Sequence, residues 1–381
     1  MTSTVDGWLS TLERQAAQRR AAGLRRELRP HGPHDGVVDL AGNDYLGLSR
    51  HPSVVAAASA ALAEYGLGAT ASRLVRGSTQ AHALLEAALA AWLGTGSALV
   101  YSSGYLANLG AIRALAGPGA LVVSDAHNHA SIVDGCRLAG REKAVVPHRD
   151  VDAVQAALVR HGGPAVVVTE SLFSVDGDLA PLRDLHAVCR RYGALLLVDD
   201  AHAIGVLGPH GAGGVAAAGL AGEPDVVVTA TLSKALGAAG GVIAGPVPLH
   251  RHLVDTGRTF IYDTALPPAV VAGAHAALDV LRAADGLRTE LADRARYATA
   301  RLRAAGLSVP APAGGVLSVC APGPDEAVAW ATACRDEGIA VGCFRPPSTP
   351  DGGSRLRLTI NVGVPRVDFE RAVDVILAAR P

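Results

Sequence analysis

Between residues 98 and 244 the chain repeats one pattern: a short continuous apolar run, a polar or glycine-containing break, then in several cases a stretch with helical spacing. The runs lie at 98–101, 120–124, 144–146, 165–169, 194–198, 226–229 and 241–244, and helical spacing recurs at 107–115, 151–160 and 182–192. A strand apolar on both sides has no face to turn to water, so it must be covered above and below. Such strands alternating with helices predict an α/β architecture, a mainly parallel sheet with helices on both faces. In sheets of this kind ligands sit beyond the carboxyl ends of the strands. The residues just past those ends are Ser102-Ser-Gly-Tyr105, Asp125-Ala-His-Asn-His129, Glu170-Ser-Leu-Phe-Ser174, Asp199-Asp-Ala-His202 and Thr231-Leu-Ser-Lys234. Five polar segments delivered to one rim predict a composite site.

The flanks read differently. Residues 12–28, rich in arginine, predict a charged amphipathic leading helix, followed by a polar break at 30–35 and a short strand at 37–41. Helices are predicted over 51–64 and 82–93 with a glycine-rich loop at 66–77 between them, and over 270–282 and 286–305 beyond Pro267-Pro268. Strand signals at 316–320, 339–341 and 356–360 alternate with helical spacing at 325–337 and 367–379, a smaller α+β layer. The expected division is an N-terminal helix and arm (1–45), a large α/β domain (46–285) and a small C-terminal α+β domain (286–381).

Charge and cysteine usage narrow the function classes. A net charge of −1 is not that of a general nucleic-acid binder. The five cysteines are odd in number, scattered and without a CxxC pair, which offers neither a zinc site nor a disulfide framework and fits the cytoplasm. No apolar run is long enough to span a bilayer, and Glu13 and Glu27 count against a transit peptide in the leading segment. His127 and His129 lack a carboxylate or cysteine cluster at ligand spacing, so no metal is expected. A phosphate loop of the form GxxxxGK[ST] is absent, and no GxGxxG follows the first strand.

Lysine usage points to the chemistry. Of 34 Lys plus Arg only Lys143 and Lys234 are lysines. Arginine cannot give up its proton in a protein, whereas a lysine can serve as an amine. Lys143 lies in a polar run and reads as a solvated charge. Lys234 follows an apolar strand and precedes a run of small residues, and two readings stay open: a working amine, or a plain strand-end cap. Asp199 closes Leu195-Leu-Leu-Val and needs a cationic partner, either a protonated pyridine nitrogen or an arginine. His202 is placed to reach a phenolic oxygen, or to serve as a core or capping histidine. Gly104-Tyr105 opens a helix whose first amides suit a phosphate. Amine, buried acid, histidines and an anion-binding helix start together fit a pyridoxal 5'-phosphate (PLP) enzyme.

The motifs Asn43-Asp-Tyr-Leu-Gly-Leu, His129-Ala-Ser, Thr169-Glu-Ser-Leu-Phe-Ser-Val-Asp-Gly-Asp, Val198-Asp-Asp-Ala-His, Thr231-Leu-Ser-Lys, Arg345-Pro-Pro-Ser-Thr-Pro and Arg355-Leu-Arg-Leu-Thr run nearly end to end. Together they resemble the α-oxoamine synthases, fold-type I PLP enzymes that condense an amino acid with an acyl thioester. The resemblance implies that Lys234 holds the cofactor and moves the α-proton. It implies that Asp199 pairs with the pyridine nitrogen, that His129 stacks on the ring, and that Ser174 and His202 lie near its phenolic oxygen. The phosphate falls to the amides of Gly104 and Tyr105 and the Thr231 hydroxyl, with Thr264 reaching the phosphate of a neighbouring subunit, which implies a homodimer. Arg357 is implied to bind the amino-acid carboxylate, and Arg25 and Ser348 to contact substrate. Within the family the substrates implied are L-alanine and pimeloyl-CoA or a pimeloyl carrier protein, in biotin synthesis. Glycine C-acetyltransferase and 5-aminolevulinate synthase are the alternatives. Ala203 and Arg76 depart from the pattern near the presumed acyl entry, and the small residues after Lys234 are expected to leave room for cofactor and neighbouring subunit.

Overall fold

The computed structural model describes residues 4–349 and 351–381, so Pro350, the last residue of the Arg345 motif, lies outside the described residues. The chain opens with α1 (Thr4–Ala21), β1 (Val38–Leu40), α2 (Pro52–Tyr65) and α3 (Gln80–Leu93). The alternating region follows as β2 (Ser97–Tyr101), α4 (Gly104–Leu115), β3 (Leu121–Asp125), α5 (Ala130–Ala139), β4 (Glu142–Val146) and α6 (Val151–His161). It continues through β5 (Ala165–Glu170), α7 (Leu182–Arg191), β6 (Leu195–Asp199), α8 (Gly214–Ala217), β7 (Val226–Thr231) and β8 (Gly241–Gly245). After α9 (Val247–Thr256), α10 (Arg258–Ile261), α11 (Pro268–Arg282) and α12 (Asp285–Ala304) come β9 (Val316–Ala321), α13 (Pro324–Asp336), β10 (Ile339–Phe344), β11 (Ser354–Thr359) and α14 (Arg366–Ala378).

The predicted strands at 98–244 form one seven-stranded sheet in the order β2-β8-β7-β6-β5-β3-β4. The pairings among β3 to β7 are parallel, and only β8 runs against its neighbours. The inner strands split their side chains between two cores, while the edge strand β4 leaves one face exposed. Val166, Val168, Leu197 and Val227 join one cluster on one face, and Val167, Leu196, Val198, Val226 and Val228 join the other. That division is the physical cause of the unbroken apolar runs: alternate residues point to opposite faces, and both faces are covered.

A second sheet has the order β1-β10-β11-β9. Its edge strand β1 comes from the N-terminal arm and pairs in parallel with β10, Val38 opposite Ile339. The small sheet therefore draws on both ends of the chain, a closure that local sequence pattern does not carry.

Two local expectations need correction. The leading helix ends at Ala21, and Arg25 lies beyond it. Gly23 takes φ +65°, and a Cβ there would come within 2.3 Å of the Asp325 side chain, so the chain turns off the helix where it meets α13. The loop at 66–77 contains a π-helical turn, Arg73–Gly77. Two of the glycines after Lys234 also pack on backbone: a Cβ on Gly237 would approach the Ser49 amide nitrogen to 2.3 Å, and one on Gly241 the Ser103 carbonyl to 2.3 Å. Two helices that the pattern did not flag, α5 and α9, complete the cover of one sheet face.

Candidate active site

The carboxyl ends of β3, β5, β6 and β7 meet the start of α4 and the face of the small sheet. Asp199 ends β6 buried, and its two oxygens have separate donors: the Ala201 amide reaches Oδ1 at 3.0 Å and the Asn108 side-chain amide reaches Oδ2 at 2.7 Å. The same Asn108 amide donates to Ser131 Oγ at 2.8 Å, and Asn108 Oδ1 accepts from Thr229 Oγ1 at 2.5 Å. Ser131 in turn lies 2.8 Å from His129 Nδ1 and sends its backbone N–H to the same atom at 3.2 Å. His129 Nδ1 is thus an acceptor at the first turn of α5, and burial holds the ring below the ordinary histidine range. One hydrogen-bonded chain runs from the acid to the histidine.

The adjacent acid has other work. Asp200 is fully buried and accepts from the amides of Gly214 and Val215 at 2.9 and 3.3 Å and from the Ser171 hydroxyl, so it staples α8 to the end of β5. Burial pushes its carboxyl up to about 6.

His202 is buried with Nδ1 2.6 Å from the Tyr45 hydroxyl, a pair 157 residues apart in sequence. Burial and the nearby charges of Lys234, Arg357 and His129 keep His202 well below the usual histidine value. Arg357, buried in the middle of β11, donates from Nη1 to the Ser174 carbonyl at 2.9 Å and from Nη2 to Asn43 Oδ1 at 2.9 Å. Its guanidinium carbon stands 4.5 Å from the Phe344 ring centre. The small sheet thereby closes over the loop that carries Ser174.

Lys234 sits half-buried in the turn after β7. Burial, opposed by Asp199 and Glu170 and aided by Arg357, pulls its ammonium down to about 8. Such an amine gives up its proton more readily than an ordinary lysine, as a nucleophile for a carbonyl must. α4 starts at Gly104 with Ser103 as its cap, the Ser103 hydroxyl accepting from the Leu106 amide at 3.2 Å. The Gly104 and Tyr105 amides lie in the first turn, outside the helix's own ladder. A Cβ on Gly104 would stand 3.1 Å from Thr231 Cβ, so the helix start and Thr231 share one cradle. The Thr231 hydroxyl is held in its own turn, 2.7 Å from Ser233 Oγ and 2.9 Å from the Gly240 carbonyl.

Lys234, Asp199, His129, His202, Ser174 and Arg357 are therefore brought together, with Gly104, Tyr105 and Thr231 beside them. Thr264 stands apart and exposed, bridged to Ser72 next to the π-helical turn, where Val75 and Tyr262 are also exposed. Arg25 and Ser348 line a different feature, a cleft of about 760 Å³ between the arm, α13 and β10. Its walls carry Arg20, Arg25, Arg26, Arg29, Arg335 and Arg345 against the acids Glu27 and Asp325. There Arg26, not Arg25, donates to Ser348 Oγ at 2.9 Å, while Arg25 pairs with Glu27 at 3.0 Å.

Sequence reasoning assigned no site role to Asn43, Tyr45, Asn108, Ser131 or Glu170. A signal existed for Glu170, which closes the apolar run of β5 as Asp199 closes that of β6. The others are set by contacts far apart in sequence.

Those donor and acceptor groups suit PLP: a buried carboxylate with both oxygens oriented, an amine of lowered basicity, a neutral histidine and a helix start opposite a threonine. The profile of the aminotransferase class I and II family matches residues 35–376. An 8-amino-7-oxononanoate synthase of Mycolicibacterium smegmatis is 54% identical over 380 residues, covering 98% of this chain and 97% of that protein. Among solved structures, SPT (serine palmitoyltransferase) with its PLP internal aldimine superposes with a TM-score of 0.91 at 31% identity, covering 98% of this chain and 97% of that one. An 8-amino-7-oxononanoate synthase from Francisella tularensis gives a TM-score of 0.78 at 25% identity, covering 90% of this chain and 98% of that one. The chain belongs to the aminotransferase class I and II family, on the α-oxoamine synthase branch that its motifs resemble.

Proposed function

We propose that the protein is a PLP-dependent acyltransferase that condenses L-alanine with a pimeloyl thioester, on CoA or on a carrier protein, to 8-amino-7-oxononanoate with loss of CO2. The observation that carries this reading is the pairing of a low-basicity Lys234 amine with a twice-bonded Asp199 carboxylate on one buried rim. The near-full-length likeness to the mycolicibacterial synthase supports the choice of substrates.

In this reading PLP, when bound, supplies the electron sink that lets bonds at the amino acid's α-carbon break. Lys234 would hold the cofactor through its amine and would carry the proton of the substrate's α-carbon. Asp199, held by Asn108 and the Ala201 amide, would pair with the pyridine nitrogen. His129 offers its ring face, and His202 and Ser174 attend the phenolic oxygen. Arg357, whose fork is fixed by Asn43 and the Ser174 carbonyl, orients the substrate carboxylate. The first amides of α4 and Thr231 would hold the cofactor's phosphate.

The arginine-lined cleft, with Arg25 and Ser348, supports an anionic acyl donor: six cationic side chains against two acids, in a chain whose net charge is −1. The exposed Val75 and Tyr262 beside Thr264 support a homodimer in which Thr264 serves the neighbouring site. Residues 46–285 serve as the cofactor-holding domain, with the arm (1–45) and the C-terminal part (286–381) closing over it. Free cysteines support a cytoplasmic setting, and among the described residues no helix is long and apolar enough to cross a membrane.

Mass spectrometry of reactions with a panel of amino acids and thioesters tests the assignment. Alanine with pimeloyl-CoA or the pimeloyl carrier protein is expected to yield the C9 amino ketone. Product only from glycine with acetyl-CoA or succinyl-CoA would reassign the chain within the branch.

A further inference from the structure

The mechanism above gives Glu170 no task, yet this carboxyl is only 2% exposed and sits in the floor of the site. In the parallel pair β5–β6 it stands in register with Asp199, and in β6–β7 Asp199 stands in register with Thr229. Residues paired in register point to the same face, about 5 Å apart at Cβ. Two carboxyl groups so placed, away from water, do not both ionise.

Hydrogen bonding decides which one keeps the proton. Asp199 receives an N–H on each oxygen, from Ala201 and from Asn108. Glu170 receives the Ser174 amide at 3.1 Å on Oε2 and a weaker pull from the His129 backbone amide, and its buried Oε1 has no partner at hydrogen-bond distance. Around the pair stand Lys234 after β7, Arg357 on β11, and the histidines His129 and His202, both held toward the neutral form. Donors stabilise an anion where they converge, and they converge on Asp199.

We propose that Glu170 carries the proton of the Glu170–Asp199 pair at neutral pH, which leaves Asp199 its single anion and makes Glu170 a positioning residue for that charge. Burial and the Asp199 charge push Glu170 up to about 8, in accord with the geometry. A neutral Glu170 also spares Lys234 a second negative neighbour that would hold its proton. The further step, that the anion so localised serves a pyridine nitrogen, rests on the cofactor reading; the protonation state does not.

The test uses cofactor-free protein. Infrared difference spectra between the wild type and Glu170→Gln at pH 7 are expected to show the carbonyl stretch of a protonated carboxyl in the wild type only, fading as pH rises through about 8. Carbon NMR of wild-type protein labelled at glutamate carboxyls needs no variant: one resonance is expected to titrate near pH 8, against an ordinary glutamate value of 4.5. If every glutamate titrates in the ordinary acid range, the proposal is overturned. Glutamine mimics the neutral acid and alanine leaves a gap beside Asp199, so Glu170→Gln is expected to lose less PLP affinity and kcat than Glu170→Ala by about tenfold or more, whereas equal losses in the two variants would mean that the neutral side chain does not suffice. A neutral Glu170 in a protein that binds no PLP would leave this inference standing and remove the functional reading. PLP bound at Lys234 beside an ionised Glu170 would do the reverse.

Discussion

The side-chain amide of Asn108 donates to Asp199 Oδ2 at 2.7 Å, across the 91 residues that separate α4 from the end of β6. The same amide holds Ser131, and through it His129, so the acid and the histidine of the site share one support. A buried hydrogen bond to a charged group contributes roughly 1.5–3 kcal/mol. Asn108→Ala is therefore expected to weaken PLP binding about tenfold to a hundredfold, read by absorbance titration of the apoprotein. Asn108→Asp, which adds a third carboxyl, is expected to be worse than alanine. Unchanged affinity in both variants would remove Asn108 from the site.

Arg357 is gripped at both ends of its fork and faces Phe344. Lysine keeps the charge but not the planar fork. Arg357→Lys is expected to raise KM for the amino acid by about tenfold or more with the smaller effect on kcat, since it removes binding rather than proton transfer. Steady-state kinetics with varied alanine check this, and an unchanged KM would place the carboxylate elsewhere.

His148 bridges Asp125 and Asp178 at 2.9 Å on each side, and the two carboxylates outweigh burial to raise it from 6.5 to about 9. Its folded-state value is the higher one, so the stabilisation is full below pH 6.5 and is lost as pH rises through about 9. The latch joins the end of β3 to the loop that carries Ser174. His148→Gln is expected to lower stability by on the order of 2 kcal/mol at pH 6, with the gap from wild type closing by pH 10. Thermal melts across that range test it, and a gap independent of pH would show that the charge plays no part.

The site was legible in the sequence wherever a strand delivers a residue to the rim, because unbroken apolar runs fix both the buried strand and its end. That alone puts Asp199, His129 and Lys234 on the rim, while their roles come from the family resemblance and the scarcity of lysine. What lay hidden depends on pairing between distant segments. Glu170 faces Asp199 only because β5 and β6 align in one register, and Tyr45 meets His202 only because the N-terminal arm folds back over the rim. The addition of β1 to the small sheet joins residues some 300 apart, Val38 with Ile339, by backbone hydrogen bonds that leave no periodic trace. Glycines hid a second demand, since Gly237 and Gly241 also accommodate the chain's own backbone at Ser49 and Ser103. The N-terminal arginines read as a helix face, whereas several of them line a cleft.

That cleft makes a salt-dependent prediction. Arg20 and Arg335 line it, away from the cluster around Asp199. The double substitution Arg20→Glu with Arg335→Glu replaces two positive charges by two negative ones in the wall. It is expected to raise KM for the acyl thioester about tenfold at low ionic strength, an effect that shrinks with added salt. KM for alanine is expected to stay as it was. Equal effects on both substrates would argue against the cleft as the donor's path.

The central claim is that Lys234 is the working amine, one of only two lysines in the chain. Borohydride reduction of the purified protein loaded with PLP, followed by peptide mass mapping, tests it most directly. The account predicts one reduced phosphopyridoxyl group per chain, on Lys234, and none in a Lys234→Ala protein that has also lost turnover. Label on Lys143, no label at all, or continued turnover by Lys234→Ala would contradict it.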